Sequence, residues 1–213
     1  NRPMNGYDRR HFLKSTLLGT SAAFLSIPVL PQGSSATTES QTNEKKFITR
    51  KLGKTGIEVP IVSFGVMRAD NPALVKAALD AGIVLFDTAH GYQRGRNEEM
   101  LGDVLKDRPR DSFVLATKVP PEETDNRTGE IGAASTAKAF LDKFDLSLKR
   151  LKLDYVDILY VHNVSSRSGA FFPPMLEAVQ TAKKSGKARH VGLSTHKNEP
   201  DVIQAAIETG VYE

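Results

Sequence analysis

Short apolar segments alternate with longer amphipathic ones along most of the chain. The apolar segments are rich in Val, Ile, Leu and Phe and are bounded by turn residues. They are nearly continuous in hydrophobicity rather than alternating, which is typical of parallel strands buried on both faces. The pattern predicts strands at residues 60–65, 83–88, 112–119, 155–162 and 189–194.

The segments between these strands have helical periodicity. Asn97, followed by two glutamates, predicts an N-cap with acidic residues in the first helical turn, and Gly186 predicts a helix end. Strand–helix units that follow one another in this way favour a parallel α/β fold. The predicted helices cover residues 72–81, 97–106, 135–151, 174–185 and 200–209.

Two parallel architectures compete, an open doubly wound sheet and a closed (β/α)8 TIM barrel. A dinucleotide-binding doubly wound fold should carry G-x-G-x-x-G after its first strand, and this chain does not. Polar side chains instead follow successive strands, where barrel enzymes place their catalytic groups. These strand-end residues are Asp87, Lys118, His162 and Ser194. We therefore predict the barrel.

A (β/α)8 barrel needs eight strands and about 250 residues. The sequence contains five strand–helix units, and residues 210–213 read as the start of a sixth strand. We expect only the first five βα units of the barrel to be present, so that the chain is C-terminally incomplete. A chain that stops at Glu213 is expected to be inactive by itself.

Residues 1–36 differ from the rest of the chain. Arg9 and Arg10 begin the hexapeptide RRHFLK, which resembles a bacterial twin-arginine export signal. The uncharged stretch 15–30 is shorter than the roughly 20 apolar residues of a membrane-spanning helix. We expect a signal peptide over 1–36, a polar linker over 37–46, the twin-arginine translocation machinery as a partner, and a periplasmic protein with no stable membrane span.

Composition excludes several classes of protein. Hydrophobic residues make up 39% and charged residues 25% of the chain, as in soluble globular proteins. The sequence has no cysteine, which excludes disulfides and thiolate chemistry within it. The net charge of +4 belongs mostly to residues 1–36, which hold four basic side chains and one acidic one, whereas 25 basic and 24 acidic side chains remain elsewhere. We expect no nucleic-acid partner.

Four residues at the predicted strand ends suggest chemistry on a carbonyl oxygen. Asp87 ends a strand, Tyr92 follows on the loop, and Lys118 and His162 end the next two strands. A free phenol is a weak acid at neutral pH, and a nearby ammonium strengthens it by stabilising the phenolate. Asp87 could hold the lysine, and His162 could orient a carbonyl group. No metal-ligand spacing is present, so a dissociable cofactor is the natural source of a hydride.

The segments that carry these residues occur together with others in a recognisable order. FITRKLGKTGIEV, FDTAHGYQRGRNEEMLG, ATKV, LDYVDILYVHN and GKARHVGLSTH follow one another over residues 47–213. This region resembles the aldo-keto reductase family, whose barrel is plugged at the bottom by an N-terminal β-hairpin. The resemblance implies NADPH-dependent reduction of an aldehyde or ketone. Tyr92 would be the general acid, Lys118 and Asp87 would tune it, and His162 would orient the carbonyl.

The resemblance also implies a nicotinamide site. Cofactor-binding residues would be Gly65, Val66, Met67, Asp87, Ser194 and Thr195. Two positions depart from the family: Ser194-Thr195-His196 stands where Ser-Asn is frequent, and Val66 replaces a common Thr. The resemblance alone favours NADPH, which members of the family commonly use, and leaves NADH open as an alternative. Some exported relatives carry a cysteine-rich tail, which leaves an iron–sulfur cluster open for a C-terminal continuation.

Other readings of the chain remain. A non-catalytic nicotinamide-binding redox sensor or regulatory module of the same fold would not need all four strand-end residues. A barrel hydrolase or isomerase would need paired carboxylates, and only Asp87 is visible. The polar segments 120–134 and 165–172 are candidate substrate loops, and His196 is a candidate pocket-wall residue. No residues are assigned to a metal.

Overall fold

The computed structural model describes residues 47–213. The predicted signal peptide and linker, residues 1–36 and 37–46, lie outside the described residues. Among residues 47–213, no helix is long and apolar enough to cross a membrane.

Five parallel strands form one sheet in which neighbours in space are also neighbours in sequence. This order confirms the predicted parallel α/β fold. The strands are β3 (Phe64–Gly65), β4 (Leu85–Asp87), β5 (Val114–Val119), β6 (Val156–Val161) and β7 (Ala188–Leu193).

A helix follows every strand of this sheet. Five of the helices were predicted, whereas the short α4 was not. Its four residues are too few to show helical periodicity, and its N-cap is Ser166, which accepts a hydrogen bond from the Gly169 N–H at 3.0 Å. The helices are α1 (Pro72–Asp80), α2 (Arg96–Leu105), α3 (Ala137–Leu151), α4 (Arg167–Ala170), α5 (Pro173–Lys184) and α6 (Glu199–Thr209).

A separate antiparallel hairpin precedes the sheet. It consists of β1 (Thr49–Lys51) and β2 (Glu58–Pro60), and Pro60 pairs with Thr49. The prediction of one strand over 60–65 was therefore wrong at its start, since the first of those residues belongs to the hairpin. The turn of the hairpin lines a cavity together with residues of β6 and β7, so the hairpin packs against the sheet.

The predicted N-cap of α2 was also wrong. Helix α2 starts one residue earlier, after Gly95, whose φ of +90° places it in the left-handed region. Asn97 lies inside the helix and is fully buried. Its side chain forms tertiary hydrogen bonds instead of capping the helix, because the folded chain surrounds it with backbone carbonyls of the loop after β3.

The core lies between the sheet and the helices packed against it. Phe86, Leu115 and Leu159 project from three neighbouring strands and are fully buried. Phe140 and Phe144, one turn apart on α3, cover the same face. Burial of these large side chains fixes the strand order, and thereby the relative positions of the residues at the strand ends.

Candidate active site

The parallel register brings the predicted strand-end residues to one edge of the sheet. Asp87 pairs with Ala116 of β5, and Lys118 pairs with Tyr160 of β6. His162 follows β6 directly, and its backbone N–H donates to the Val119 carbonyl at 2.9 Å. Parallel strands share one direction, so these three side chains meet at the carboxyl ends.

Lys118 is the centre of the site. Its side chain is only 10% exposed, and a lysine this buried requires polar partners. The ammonium group forms an ion pair with the Asp87 carboxylate and donates to the Thr88 carbonyl at 2.8 Å. It also lies 3.4 Å from the Tyr92 hydroxyl and 5.0 Å from the centre of the Tyr92 ring. Lys118 thus connects the Asp87 carboxylate to the Tyr92 hydroxyl.

Tyr92 stands on a tightly wound loop between β4 and α2. Gln93 and Arg94 have φ values of 51° and 58°, in the left-handed region that side chains other than glycine rarely adopt. Such backbone conformations cost free energy and persist only where surrounding contacts hold them. The surrounding structure must therefore stabilise this loop.

His162 faces Tyr92 edge-on. The ring centres are 5.8 Å apart and the ring planes are inclined by 80°. Burial, together with the nearby ammonium group of Lys118 and the electrostatic effect of the His196 ring, lowers the pKa of His162 to about 4. The imidazole is therefore neutral at pH 7, and a neutral imidazole has one N–H to donate to a substrate oxygen.

The three residues predicted at the end of the first strand differ in accessibility. Gly65 is exposed, and in the described part of the chain no atom beyond its two neighbours lies within 4 Å of where a side chain would begin. Met67 is 48% exposed. Val66 is fully buried in the core. Its N–H donates to the Asp87 carbonyl, and its carbonyl accepts from Asn97 at 2.6 Å. Open space at this strand end thus lies over Gly65 and Met67.

Ser194 and Thr195 follow β7 at the same edge of the sheet. The Ser194 hydroxyl oxygen accepts from the Asn163 N–H at 3.1 Å, which leaves its own O–H to donate. The Thr195 hydroxyl donates to the Lys197 carbonyl at 2.7 Å and accepts from the Lys197 N–H at 3.3 Å. Among the bonds of residues 47–213, the Ser194 O–H therefore stays available as a donor, whereas the Thr195 hydroxyl is bonded within its own turn.

Asn97 is a buried residue that joins parts of the site and that the sequence analysis missed. Its amide NH2 donates to the Val66 and Ala69 carbonyls, at 2.6 and 3.2 Å, and its amide oxygen accepts from the Thr88 hydroxyl at 2.7 Å. It ties the loop after β3 to the end of β4. In the sequence, Asn97 is noticeable only as an amide side chain within FDTAHGYQRGRNEEMLG, and helix-capping preferences predict an N-cap at that position.

The candidate substrate loops contact each other. The Ser166 hydroxyl donates to the Gly129 carbonyl at 2.8 Å, and the Ser168 hydroxyl donates to Glu130 at 2.6 Å. Lys197, after β7, donates to the Asn126 carbonyl at 3.1 Å. The loops after three consecutive strands therefore form one hydrogen-bonded wall. Within residues 47–213, no cluster of three or more His, Asp or Glu side chains could hold a metal ion.

Relatives of known name match this chain over most of its length. L-glyceraldehyde 3-phosphate reductase of Escherichia coli (strain K12) is 34% identical over 175 residues, which cover 75% of this chain and 48% of that protein. The chain spans about half the length of the curated relatives it matches.

Solved structures show the same fold. The holo form of an aldo-keto reductase from Bacillus halodurans matches with a TM-score of 0.62 and 28% identity, over 76% of this chain and 54% of that chain. An aldo-keto reductase from Klebsiella pneumoniae in complex with NADPH matches with a TM-score of 0.53 and 27% identity, over 70% and 50% of the two chains.

A sequence model described as the Aldo/keto reductase family matches residues 63–213. That match covers well over half of the chain and includes every strand of the parallel sheet. The chain belongs to the aldo/keto reductase family.

Proposed function

We propose that the full-length protein containing this chain reduces an aldehyde or ketone to an alcohol with NADPH, and that Tyr92 is the general acid. The observation that carries this proposal is the position of Lys118. Its ammonium group pairs with Asp87 and lies 3.4 Å from the Tyr92 hydroxyl, and the centre of the Tyr92 ring lies 5.8 Å from that of His162. The phenol of Tyr92, the Lys118 cation and the neutral His162 imidazole therefore lie close to one another.

Tyr92 gives its proton to the oxygen of the carbonyl group as that oxygen becomes an alkoxide. The Lys118 ammonium stabilises the phenolate that remains, because opposite charges a few ångströms apart attract strongly where water is partly excluded. Asp87 keeps Lys118 in place, as a buried cation without a counter-charge would be costly. The three residues therefore act as one proton-donating unit.

His162 orients the carbonyl group. Because its pKa is lowered to about 4, the imidazole is uncharged at neutral pH and donates a hydrogen bond without competing as an acid. The His162 ring lies edge-on to the Tyr92 ring with the ring centres 5.8 Å apart, which is near enough for both donors to bind one carbonyl oxygen. A carbonyl oxygen held between them is ready to receive the proton.

The residues present fit the nicotinamide end of a cofactor. Gly65 leaves open space beside Asp87, Met67 is half exposed, and Ser194 has a free hydroxyl donor suited to a carboxamide oxygen. When bound, NADPH supplies the hydride. We choose NADPH over NADH because the similar structure from Klebsiella pneumoniae is a complex with NADPH and because members of the family commonly use NADPH. The substrate is a small carbonyl compound.

Replacement of Tyr92 by Phe tests the proposal. In the full-length protein, Y92F should lower kcat for reduction of aldehydes by about 10²- to 10⁴-fold, because it removes only the proton donor. The dissociation constant of NADPH should stay within twofold of the wild-type value. The matched control is Y155F, which removes a phenol hydroxyl at the opposite end of the strands and should leave kcat unchanged.

Two results would count against this mechanism. Turnover by Y92F above one-tenth of the wild-type rate would exclude Tyr92 as the acid. Binding of NADPH by the wild type without turnover on a broad panel of aldehydes and sugars would favour the redox sensor instead.

We also propose that the protein is exported through the twin-arginine pathway. The proposal rests on RRHFLK and the short uncharged stretch after it. Replacement of Arg9 and Arg10 by Lys keeps the charge and removes the motif. In a bacterial host, the variant should stay in the cytoplasmic fraction while the unchanged protein reaches the periplasm. Equal distribution of the two proteins would contradict export by this route.

A further inference from the structure

A buried polar network lies beneath the loop that carries Tyr92, and the proposed mechanism does not use it. Its first part is a pair of residues on α3. Ser147 and Arg150 are three positions apart, so they project from the same face of the helix. Ser147 is fully buried and the Arg150 side chain is 18% exposed.

This pair holds His90, two residues before Tyr92, by both its side chain and its backbone. The Ser147 hydroxyl lies 2.9 Å from His90 Nδ1. Arg150 Nη1 donates to the His90 carbonyl at 3.1 Å. Burial and the nearby positive charges of Arg150 and Lys143 lower the pKa of His90, which favours the neutral ring in this contact. Helix α3 therefore fixes the start of the Tyr92 loop.

A buried carboxylate anchors Arg150 in turn. Glu98 is fully buried, and its Oε2 lies 3.3 Å from Arg150 Nη1. Its Oε1 accepts a hydrogen bond from the Thr117 hydroxyl at 2.7 Å. Thr117 directly precedes Lys118 on β5. One carboxylate thus connects the strand that carries the lysine with the arginine that holds the loop of the phenol.

The end of the loop also packs against this arginine. Gly95 has a φ of +90°, and a side chain there would begin 2.3 Å from the Arg150 guanidinium carbon. The guanidinium therefore lies directly against the loop backbone, in space that only glycine leaves free. Contact at both ends of the loop, His90 and Gly95, explains how the left-handed conformations of Gln93 and Arg94 persist.

From these contacts we infer that Ser147, Arg150 and Glu98 are positioning residues that set the separation between the Tyr92 hydroxyl and the Lys118 ammonium group. This inference rests on the proposed function, because the separation matters only if Lys118 stabilises the phenolate that Tyr92 leaves when it protonates the carbonyl oxygen. A shift of Tyr92 weakens its stabilisation by Lys118 and moves the hydroxyl relative to the carbonyl oxygen, so a displacement of about 1 Å can cost roughly 100-fold in rate. The network acts through Tyr92 and touches no substrate.

The test uses two matched double variants of the full-length protein. E98Q/R150M removes the buried pair under the loop without leaving an unpaired charge. R110M/D157N removes a comparable pair at the other end of the strands, where Arg110 Nη2 lies 2.6 Å from Asp157. S147A is a milder third variant that removes only the contact with the His90 ring, in case E98Q/R150M does not fold.

E98Q/R150M should lower kcat by about 10- to 100-fold while the NADPH dissociation constant changes by less than threefold. With a cofactor deuterated at the transferred hydrogen, its isotope effect on kcat should rise above that of the wild type, since the chemical step becomes slower. S147A should show the same pattern at a few-fold loss. R110M/D157N should keep the wild-type kcat and isotope effect even if it melts at a lower temperature.

A crystal structure of E98Q/R150M or S147A gives a readout that does not need turnover. The Tyr92 hydroxyl should move away from Lys118 beyond the wild-type 3.4 Å. An unchanged separation, or a kcat as high as that of R110M/D157N, would overturn the inference. Absence of turnover in the wild type would instead reject the proposed function, and the structures would still decide whether the network holds the loop.

Discussion

The two ends of strands β5 and β6 each carry an ion pair, but the pairs have different surroundings. At the amino end, Asp157 accepts from Arg110, Arg189 and the Leu115 N–H, at 2.6, 3.1 and 2.8 Å. Both arginines also pack on the Tyr155 ring, with their guanidinium carbons 4.1 and 4.3 Å from its centre. Each partner in this cluster is tied to several neighbours.

At the carboxyl end, the pair is only partly enclosed. Asp87 is 35% exposed, and the Lys118 ammonium group pairs with Asp87, donates to the Thr88 carbonyl and lies 3.4 Å from the Tyr92 hydroxyl. A closed cluster suits stability, whereas a cation that borders open space can stabilise a charge that develops during a reaction. In (β/α)8 barrels the amino ends of the strands serve stability and the carboxyl ends carry catalytic groups, and the two clusters fit this division under the proposed function.

The largest expected effect is at the carboxyl end. K118M should lower kcat by about 10²- to 10³-fold, because the positive charge beside the phenol is lost. NADPH affinity, measured by quenching of protein or cofactor fluorescence, should change much less. If K118M keeps the wild-type kcat and only its stability falls, the proposed assignment of chemistry to the carboxyl end is wrong.

The largest effect on stability is expected at the amino end. D157A leaves Arg110 without its counter-charge and the buried Leu115 N–H without an acceptor. Loss of one partner of a buried pair should lower the free energy of unfolding by about 3 kcal/mol. Urea denaturation measures this loss, and kcat of the remaining folded protein should equal that of the wild type. A reduced kcat would show that the two ends are coupled.

A pH-dependent effect should arise from His162. Its pKa is lowered from 6.5 to about 4, so the unfolded chain binds more protons than the folded one between these values. Its contribution to stability is therefore complete above pH 6.5 and decreases as the pH falls towards 4. The difference in unfolding free energy between wild type and H162Q should change by at most about 3 kcal/mol over this range. A constant difference would contradict the lowered pKa.

The smallest effect is expected for Y155F. It removes the hydrogen bond that Arg189 Nη2 donates to the Tyr155 hydroxyl at 2.7 Å and leaves the ring between the two arginines. One exposed hydrogen bond contributes about 1 kcal/mol. Urea midpoints should therefore shift slightly, with kcat unchanged. A shift as large as that of D157A would mean that the hydroxyl, rather than the carboxylate, organises the cluster.

The elements of the fold were predictable because their signals are local. Hydrophobic runs and turn residues placed all five parallel strands, with errors confined to the ends, as at Pro60. The start of α3 at Ala137 instead of residue 135 follows from Thr136, whose side chain caps the helix by accepting from the Ala139 N–H at 3.1 Å. Such adjustments of one or two residues lie within the usual spread of helix ends.

The supporting contacts of the site were not predictable in the same way. Asn97 and Glu98 resemble a helix start when read locally, yet their partners Val66 and Arg150 are 31 and 52 residues away. The pattern of polar residues along a helix indicates which face is polar, but it does not indicate which distant residues that face contacts. Both side chains are buried because the loop and α3 pack against α2, which is a tertiary contact.

The sequence alone determined which residues stand at the strand ends, since Asp87, Lys118 and His162 each follow a run of apolar residues that must be buried. Only the tertiary structure decided what these residues touch. The distance from Lys118 to Tyr92 depends on the register of parallel strands and on a strained loop held by α3. Strand positions follow from short-range hydrophobic patterns, whereas ångström-scale separations follow from packing between segments far apart in the chain.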